Sequence, residues 1–481
     1  MRFTDMRRIP LGTVESWRNP ASPEQASTTP SPASTAASPK RTTKRSPRFR
    51  RAEKVKYSPF LFRKIKKNVF LRNRNTLTID YYEVNRKTIL SETHTASKRH
   101  PDIKVITGVR RCGKSKLMEE FAKSIRVSET NANIIHINFN LLEFEPLLEY
   151  HKLHQYVEDA YQNGKHNYVL IDEIQMCKSF EKAINSLHAT EKYDIYLTGS
   201  NAFLLSSDLA TLFTGRTFEI KAFPFSFQEY LQYFEYEDIE KAFSLYTEEG
   251  GMAGSYLYST PKEKYSYIND EVFNALIVRD IIAKYKIRNI PLLHRLIDFM
   301  MDNIGNITSI RNIANTLISN KINTNDKTIG TYIDYLCKAF AFYRIRRYDI
   351  AGKRYLTNDD KYYLADHSFR YARLGMKNLD RGRILENIVA IELLRRGYEV
   401  YVGVMHRSEI DFVAMKQHEK VYFQVADDIS NPETFKRETD SLLKIRDAYP
   451  KVLLARTRQP NFTHEGILVC NIADWLRSKI G

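Results

Sequence analysis

The chain has 481 residues, of which 43% are hydrophobic, and carries a net charge of +17. It is long enough for about two to four domains with buried cores. No stretch approaches the ~18 consecutive apolar residues of a membrane span, and the amino terminus lacks the apolar core of a secretory signal. The four cysteines form no C-x-x-C pair, which argues against structural zinc and a disulfide framework. We therefore expect a cytoplasmic multidomain protein without a membrane partner.

The positive charge is concentrated at the amino terminus. Residues 1–67 carry 17 Lys and Arg against four acids, so most of the net charge lies there. Residues 1–60 are rich in Pro, Ser and Thr and predict a disordered basic tail. The basic run from Lys40 to Lys67 has four open interpretations: a nucleic-acid-binding arm, a localisation signal, a transit peptide or solvated charge. A DNA-binding surface elsewhere in the chain would need a local face with concentrated positive charge.

From Pro101 onward, short apolar strands alternate with amphipathic helices. This alternation is typical of a parallel sheet with helical crossovers and predicts an α/β domain over residues 61–235. The predicted elements are, in chain order, strand Ile103–Ile106, helix Ser115–Ile125, strand Asn133–Asn138, helix Leu153–Asn163, strand Tyr168–Ile171, helix Phe180–Leu187 and strand Asp194–Leu197.

The first strand and helix are joined by G-x-x-x-x-G-K-S, the pattern of a phosphate-binding loop. Its glycines let backbone N–H groups surround a phosphate, and the following helix directs its positive dipole end at it. Lys114 is expected to reach the β- and γ-phosphates, and Ser115 to hold Mg²⁺. The predicted nucleotide-binding residues are Gly108, Val109, Arg110, Arg111, Cys112, Gly113, Lys114, Ser115 and Lys116.

Two adjacent acids end the strand that contains Val169, Leu170 and Ile171. Consecutive strand residues point to opposite faces, so Asp172 and Glu173 can divide two tasks. Asp172 is expected to bind Mg²⁺ through water, and Glu173 to orient and activate the attacking water. The pair is therefore a Walker B motif with a catalytic glutamate, and the predicted cofactors are ATP and Mg²⁺.

Two further positions are candidates for sensing or stabilising the γ-phosphate. Ser200 or Asn201 follows the next strand and is the sensor candidate. Arg216 follows a helical stretch, Leu205 to Leu212, and is a candidate arginine finger for a neighbouring subunit. A local ion pair with Glu219 is the alternative for Arg216.

Beyond Phe225 helices dominate, which predicts a helical linker or lid over residues 236–305 and a winged helix over 306–375. The second helix of the predicted winged helix is followed by five basic residues. This segment suits either contacts with phosphate groups or packing against another protein. The predicted elements are helices Gln228–Glu235, Glu237–Tyr246, Lys262–Lys284, Leu292–Asn303, Ser309–Ile318 and Asp326–Phe340, and hairpin strands Phe342–Asp349 and Lys353–Leu356. The basic residues are Arg344, Arg346, Arg347, Lys353 and Arg354.

A smaller α/β domain is predicted over residues 376–481. Its predicted elements are helix Arg383–Arg396, strands Glu399–Val404, Ile410–Ala414 and Val421–Val425, helix Glu433–Ala448, strand Lys451–Ala455 and helix Ala473–Lys479.

These motifs together resemble the prokaryotic AAA-type ATPases that carry a carboxyl-terminal domain of unknown function. The matching segments are Gly108–Ser115, Ile171–Gln175, Leu197–Asn201, Gly215-Arg216 and Pro224–Tyr230. The resemblance covers about residues 60–480 and implies a P-loop ATPase domain, a winged helix and a restriction-endonuclease-like terminal domain.

The endonuclease-like fold classically needs a helix acid, an aspartate, and Glu-x-Lys on the next strand to hold Mg²⁺ and assist water. Here Glu386 and Asp411 match the acids, but Gln424 is neutral and Ala426 replaces the lysine. We therefore expect a degenerate nuclease domain. Glu386 and Asp411 are then relics, DNA-groove contacts or members of a salt-bridge network.

The resulting hypothesis is an Mg²⁺-dependent ATPase whose nucleotide state moves the winged helix and the degenerate terminal domain. Glu173, Lys114, Asn201 and Arg216 are its predicted catalytic residues. The expected partners are ATP and either DNA or another protein, with a homo-oligomer as a further option. The alternatives are an ATP-dependent nuclease and an ATP-regulated scaffold without a nucleic-acid ligand.

Overall fold

The computed structural model describes residues 101–199, 213, 215–356, 359–375, 380–405 and 408–478. The chain divides into two units, residues 1–70 and 71–481, and all described residues belong to the second. The predicted basic tail, Ser200, Asn201 and the stretch from Leu205 to Leu212 lie outside the described residues.

A parallel five-stranded sheet forms the first part of the described chain. Its spatial order is β2-β3-β4-β1-β5, so the strand of the P-loop, β1, lies between β4 and β5. Four strands match the prediction to within two residues at each end, whereas β5 was not predicted. The strands are β1 (Ile103–Thr107), β2 (Ala132–Asn138), β3 (His166–Asp172), β4 (Tyr193–Thr198) and β5 (Thr217–Lys221).

Helices and short 3₁₀ turns cover both faces of this sheet. Side chains of β3 alternate between two cores, because successive residues of a strand point to opposite faces. Tyr168 and Leu170 pack in one core, and Val169 and Ile171 in the other. The helices are α1 (Lys114–Ser128), α2 (Tyr150–Asp159) and α3 (Phe180–Ala189), and the 3₁₀ turns are Leu142–Leu147 and Ile174–Met176.

A helical region follows the sheet, as predicted. Its first helix begins with a capping box, in which Ser226 and Glu229 each satisfy a backbone N–H of the other. The helix predicted at Lys262–Lys284 is present, but most of it is wound as π-helix. The elements are α4 (Phe227–Phe234), α5 (Ile239–Glu249), the 3₁₀ turn Ala253–Leu257, α6 (Pro261–Ser266), π-helical turns Tyr267–Phe273 and Leu276–Ala283, and α7 (Ile290–Asp302).

The region predicted as a winged helix contains the two expected helices, α8 (Ile310–Ser319) and α9 (Asp326–Lys338). The single strand predicted at Phe342–Asp349 is wrong, because the chain changes sheets at Arg346. β6 (Phe342–Ile345) pairs with the unpredicted β9 (Lys361–Leu364). The predicted hairpin is formed by β7 (Arg347–Asp349) and β8 (Arg354–Tyr355). The winged helix itself stays a prediction.

The carboxyl-terminal sheet has the order β14-β15-β13-β12-β11-β10-β7-β8 and mixes parallel with antiparallel pairs. It takes β7 and β8 from the preceding region, since β7 pairs parallel to β10. The hairpin of β14 and β15 was not predicted. The remaining elements are α10 (Ser368–Leu374), α11 (Arg381–Arg395), β10 (Glu399–Met405), β11 (Ser408–Lys416), β12 (Glu419–Ala426), α12 (Pro432–Leu443), β13 (Lys451–Ala455), β14 (Phe462–His464), β15 (Ile467–Asn471) and α13 (Ile472–Arg477).

One continuous hydrophobic core joins the parallel sheet, the helical region, the region predicted as a winged helix and the carboxyl-terminal region. It includes Leu117 of α1, Phe273 of the helical region and Trp475 of α13. Among the described residues, no helix combines the length and apolarity that crossing a membrane requires.

Candidate nucleotide site

Three neighbouring strands bring the predicted site residues to one edge of the parallel sheet. β4 pairs with β1 on one side and with β3 on the other. The carboxyl ends of parallel strands meet at the same edge, so the loop after β1, Thr198 at the end of β4 and Asp172 at the end of β3 lie together. The sequence motifs predicted two of these three positions, and Thr198 was missed.

The backbone of the P-loop requires its glycines. Gly108 has φ 145° and Gly113 has φ 95°, values that L-residues rarely adopt. A Cβ atom on Gly108 would lie 2.0 Å from the carbonyl oxygen of Ala222. Arg111 also takes a positive φ, 59°. The loop therefore combines left-handed backbone with close approach to the chain after β5.

Lys114 begins α1 and is largely buried under the loop. Its Nζ atom donates to the carbonyl oxygens of Gly108, at 2.9 Å, and Val109, at 3.3 Å. Cys112 is buried as well, and its Sγ atom donates to the carbonyl oxygen of Ala222 at 3.4 Å. The lysine is thus held against the phosphate-binding loop, and the cysteine fills the space between loop and sheet.

The two adjacent acids differ in environment because β3 ends at Asp172 and Glu173 leaves the strand, so the predicted alternation along a strand does not apply to this pair. Asp172 is buried and accepts a hydrogen bond from the hydroxyl of Thr198. Glu173 is half-buried, has a left-handed backbone at φ 56°, and accepts a hydrogen bond from the side chain of Gln175. Asp172 is therefore fixed by its neighbouring strand, whereas Glu173 turns out of the strand toward the P-loop side.

A cavity of about 280 Å³ lies over the P-loop. This is close to the lower end of the usual range for small-molecule pockets, about 300–1,000 Å³. Glu173 contributes to its wall, together with residues far along the chain. The lining residues are Arg110, Arg111, Gly113, Lys114, Ser115, Lys116, Glu173, Gly254, Tyr267 and Asp280.

The polar groups at this edge fit a magnesium ion bound together with nucleotide. Ser115 and Asp172 offer hydroxyl and carboxylate oxygens, the donors that Mg²⁺ prefers. The described residues contain no cluster of three or more His, Cys, Asp and Glu side chains able to hold a metal.

Arg216 is exposed, just before β5. Its carbonyl oxygen accepts the N–H of Ile103, so its backbone is fixed beside β1. Glu219, the alternative partner considered for Arg216, accepts a hydrogen bond from Thr107 at 2.7 Å. The role of Arg216 as a finger stays a prediction, as do the sensor roles of Ser200 and Asn201.

The predicted acids Glu386 and Asp411 lie beside a lysine of β9 that the sequence pattern did not indicate. Lys361 of β9 is buried, and its Nζ atom donates to Glu386 Oε1 at 2.7 Å. It also lies 2.6 Å from Glu409 Oε1 and 3.9 Å from Asp411 Oδ1. Alanine does replace the lysine at position 426, but a lysine from another strand accompanies the acids. Among the three alternatives considered, this contact set matches the salt-bridge network.

The electrostatics of this cluster reflect three acids with one ammonium group. Burial raises the pKa of Glu386, although Lys361 opposes the shift. Burial and the charge of Glu386 raise the pKa of Asp411 well above its usual range. Burial alone would lower the pKa of Lys361, but the surrounding carboxylates raise it overall. Gln424 donates to Glu438 and accepts the N–H of Asp411, so it holds β11 to β12 and α12.

Three members of the basic cluster near the hairpin are already paired with acids. Arg344 contacts Asp334 and Asp360, Arg347 contacts Asp359, and Arg354 contacts Asp349. These ion pairs reduce the positive charge that the cluster offers to a phosphate backbone.

Two family models match the chain. An AAA domain matches residues 100–231, which contain the P-loop and the Walker B acids, and a domain of unknown function (DUF8612) matches residues 240–380. The chain thus has an AAA-type P-loop domain followed by a region without an assigned role.

An uncharacterized protein of Haemophilus influenzae is 37% identical over 380 residues, which cover 78% of this chain and 94% of the relative. An uncharacterized protein of Methanocaldococcus jannaschii is 27% identical over 361 residues, 71% of this chain and 79% of the relative. Among solved structures, the Walker-type ATPase of Pyrococcus abyssi aligns with a TM-score of 0.37 and 16% identity, covering 60% of this chain and 95% of that one.

We expect Gly108→Ala to lower the free energy of unfolding by about 2–5 kcal/mol, the sum of left-handed backbone strain and overpacking against Ala222. Gly164→Ala is the matched control, since Gly164 also has a positive φ, 77°, but open space around its Cβ position. Urea unfolding of both variants measures this. An equal decrease in the free energy of unfolding for the two variants would show that the close approach at Gly108 does not contribute to stability.

We expect Lys361→Met to lower the free energy of unfolding by about 3–5 kcal/mol, because it leaves buried carboxylates without a counter-charge. When the pKa of an acid is higher in the folded than in the unfolded state, the folded protein becomes less stable as pH rises. The decrease in the free energy of unfolding caused by Lys361→Met should therefore be larger at pH ~8 than at pH ~5. Asp411→Asn removes one of the repelling charges and should leave stability unchanged or higher. Denaturant unfolding at both pH values checks this, and a fully stable Lys361→Met variant would contradict the assignment.

Proposed function

The chain belongs to the same family as the Haemophilus influenzae relative and carries an AAA domain, and from this premise we propose that it binds and hydrolyses ATP. The observation that carries the proposal is the cavity over the P-loop. Lys114, Ser115 and Glu173 all line it, although the glutamate comes from a strand that is not adjacent to the P-loop strand.

Each residue has a task that follows from its position. The triphosphate lies along the loop between Gly108 and Gly113, at the amino-terminal end of α1. Lys114 exchanges its carbonyl partners for phosphate oxygens and neutralises charge that develops on the γ-phosphoryl group. Glu173 orients the attacking water and accepts its proton.

Ser115 and Asp172 would hold Mg²⁺, which when bound would neutralise negative charge on the triphosphate. The hydrogen bond from Thr198 to Asp172 keeps that carboxylate directed along the sheet edge. Arg216 is exposed and so is available to a neighbouring copy of the chain, where its guanidinium would approach the γ-phosphate.

Hydrolysis is proposed to change the disposition of the region after the sheet and, through it, of DNA or a partner protein. Two contacts support this: both P-loop arginines, Arg110 and Arg111, form ion pairs with the helical region. The helical region also shares one continuous hydrophobic core with the parallel sheet.

Lys114→Ala should raise the Kd for MgATP about 10–100-fold, since charge-assisted hydrogen bonds contribute about 1.5–3 kcal/mol. Glu173→Gln should bind MgATP within about threefold of the wild type while kcat falls about 10²–10⁴-fold, because water activation is lost. Calorimetric titration and phosphate release measure these two quantities.

Glu143→Gln serves as the control, because Glu143 is an exposed acid of the same domain that does not line the cavity. It should change neither quantity. Normal turnover in Glu173→Gln would refute the assigned water-activating role, and unaltered binding in Lys114→Ala would refute the assigned nucleotide site.

The carboxyl-terminal acids are proposed to be structural rather than nucleolytic, because Lys361 is already engaged in ion pairs with Glu386 and Glu409 and the neutral Gln424 stands where the motif has a carboxylate. Incubation of the protein with Mg²⁺ or Mn²⁺, ATP and mixed linear and branched DNA should therefore give no cleavage. Cleavage that disappears in Asp411→Ala would instead establish the nuclease alternative.

A further inference from the structure

The wall of the nucleotide cavity opposite the P-loop comes from the helical region. Residues 267–283, here called the roof segment, contain the two π-helical stretches. Tyr267 and Asp280 of this segment line the cavity. The segment lies within the domain of unknown function, so the cavity lies between the two family domains.

The roof segment contacts both arginines of the P-loop, but in two different environments. Arg111 pairs with Glu271 at 3.1 Å, and the Glu271 side chain is 61% exposed. Arg110 pairs with Asp280 at 3.4 Å, and the Asp280 side chain is 4% exposed. Exposed pairs contribute little and are screened by solvent, whereas a buried pair is strongly coupled to its surroundings. The Arg110–Asp280 pair is therefore the contact that matters for the cavity.

The contact between Arg110, whose side chain is 24% exposed, and the buried Asp280 is incompletely satisfied. A well-formed arginine–carboxylate pair makes two parallel hydrogen bonds at about 2.7–2.9 Å. Here one long contact joins the groups, and within the described part of the chain Asp280 Oδ2 and Arg110 Nε are buried without hydrogen-bond partners. A buried donor or acceptor without a hydrogen-bond partner carries a desolvation cost, so a ligand that supplies a better partner can displace the existing contact.

Asp280 also faces the two residues assigned to the chemistry. Burial raises its pKa, Arg110 and Lys114 oppose that shift, and Glu173 reinforces it. A carboxylate in this position competes with phosphate for the same cations.

We propose that Asp280 is a positioning residue of the nucleotide site, which withholds Arg110 from the triphosphate until nucleotide binds. The inference rests on the proposed ATPase function. A phosphate group offers Arg110 several acceptor oxygens and a bidentate geometry, so it displaces the single long contact to Asp280. Arg110 then turns to the triphosphate, and the roof segment loses its buried attachment to the P-loop.

The consequence is a link between the nucleotide and the second domain. When nucleotide binds, Arg110 loses its contact with Asp280 and gains one with the triphosphate. Breaking the contact with the roof segment opposes binding, so the observed affinity is lower than it would be without that contact. Removing the carboxylate while keeping its shape should therefore tighten binding.

Titration of the full chain with MgATP and with inorganic tripolyphosphate tests this. Asp280→Asn should bind both probes about tenfold more tightly, the effect of one additional charge-assisted hydrogen bond. The matched control is Asp270→Asn, the same substitution at an exposed position of the roof segment, which should change neither Kd by more than about twofold.

A double-variant cycle identifies the route of the effect. Arg110→Gln should weaken binding, and in that background Asp280→Asn should change the Kd by less than about threefold, because no arginine remains to be released. Circular dichroism and thermal unfolding of each variant confirm that the fold is retained, and an unfolded Asp280→Asn would be replaced by Asp280→Ser with the same expected direction.

The possible results distinguish the proposed ATP binding from the proposed role of Asp280. Wild-type protein that binds neither probe overturns both the proposed function and this inference. Wild-type binding with an unchanged or weaker affinity in Asp280→Asn overturns the inference alone. A tenfold gain that persists in the Arg110→Gln background contradicts the role of Arg110.

Discussion

Parallel pairing of β1, β4 and β3 is the constraint on which the rest of the structure depends. It brings the carboxyl ends of these strands to one edge of the sheet, and with them the P-loop, Thr198 and the Walker B acids. Because β4 lies between β1 and β3, the hydroxyl of Thr198 reaches Asp172 and fixes its carboxylate. Tyr267 and Asp280, which complete the wall of the site, come from the roof segment.

Charge is distributed differently in the two acid-containing regions. At the sheet edge, Asp172 and Glu173 lie beside a loop that carries Lys114 and two arginines, and the arginines pair with acids of the roof segment that a polyphosphate can displace. In the carboxyl-terminal region, Lys361 already pairs with Glu386 and Glu409. A buried pair of this kind is costly to break from one side, and it ties β9 to α11 and β11. The first arrangement suits a ligand, and the second suits a structural junction.

The sequence predicted the parts of the fold and site that depend on local pattern. Glycine spacing predicted the P-loop because the backbone at Gly108 and Gly113 needs positive φ. An apolar strand followed by two acids predicted Asp172 and Glu173. It did not predict Thr198, Lys361 or Asp280, because their roles arise from strand order and from contacts across more than 20 residues of chain. The strand predicted at Phe342–Asp349 failed for the same reason, since its halves pair with different partners.

The proposed function places ATP between the P-loop and the roof segment. Hydrogen–deuterium exchange of the Glu173→Gln protein, with and without MgATP, measures this contact in a variant in which hydrolysis is expected to be blocked. We expect slower exchange on binding at residues 108–117 and altered exchange at residues 267–283, with little change in the carboxyl-terminal sheet. Unchanged exchange at residues 108–117 under saturating MgATP would show that ATP does not bind there.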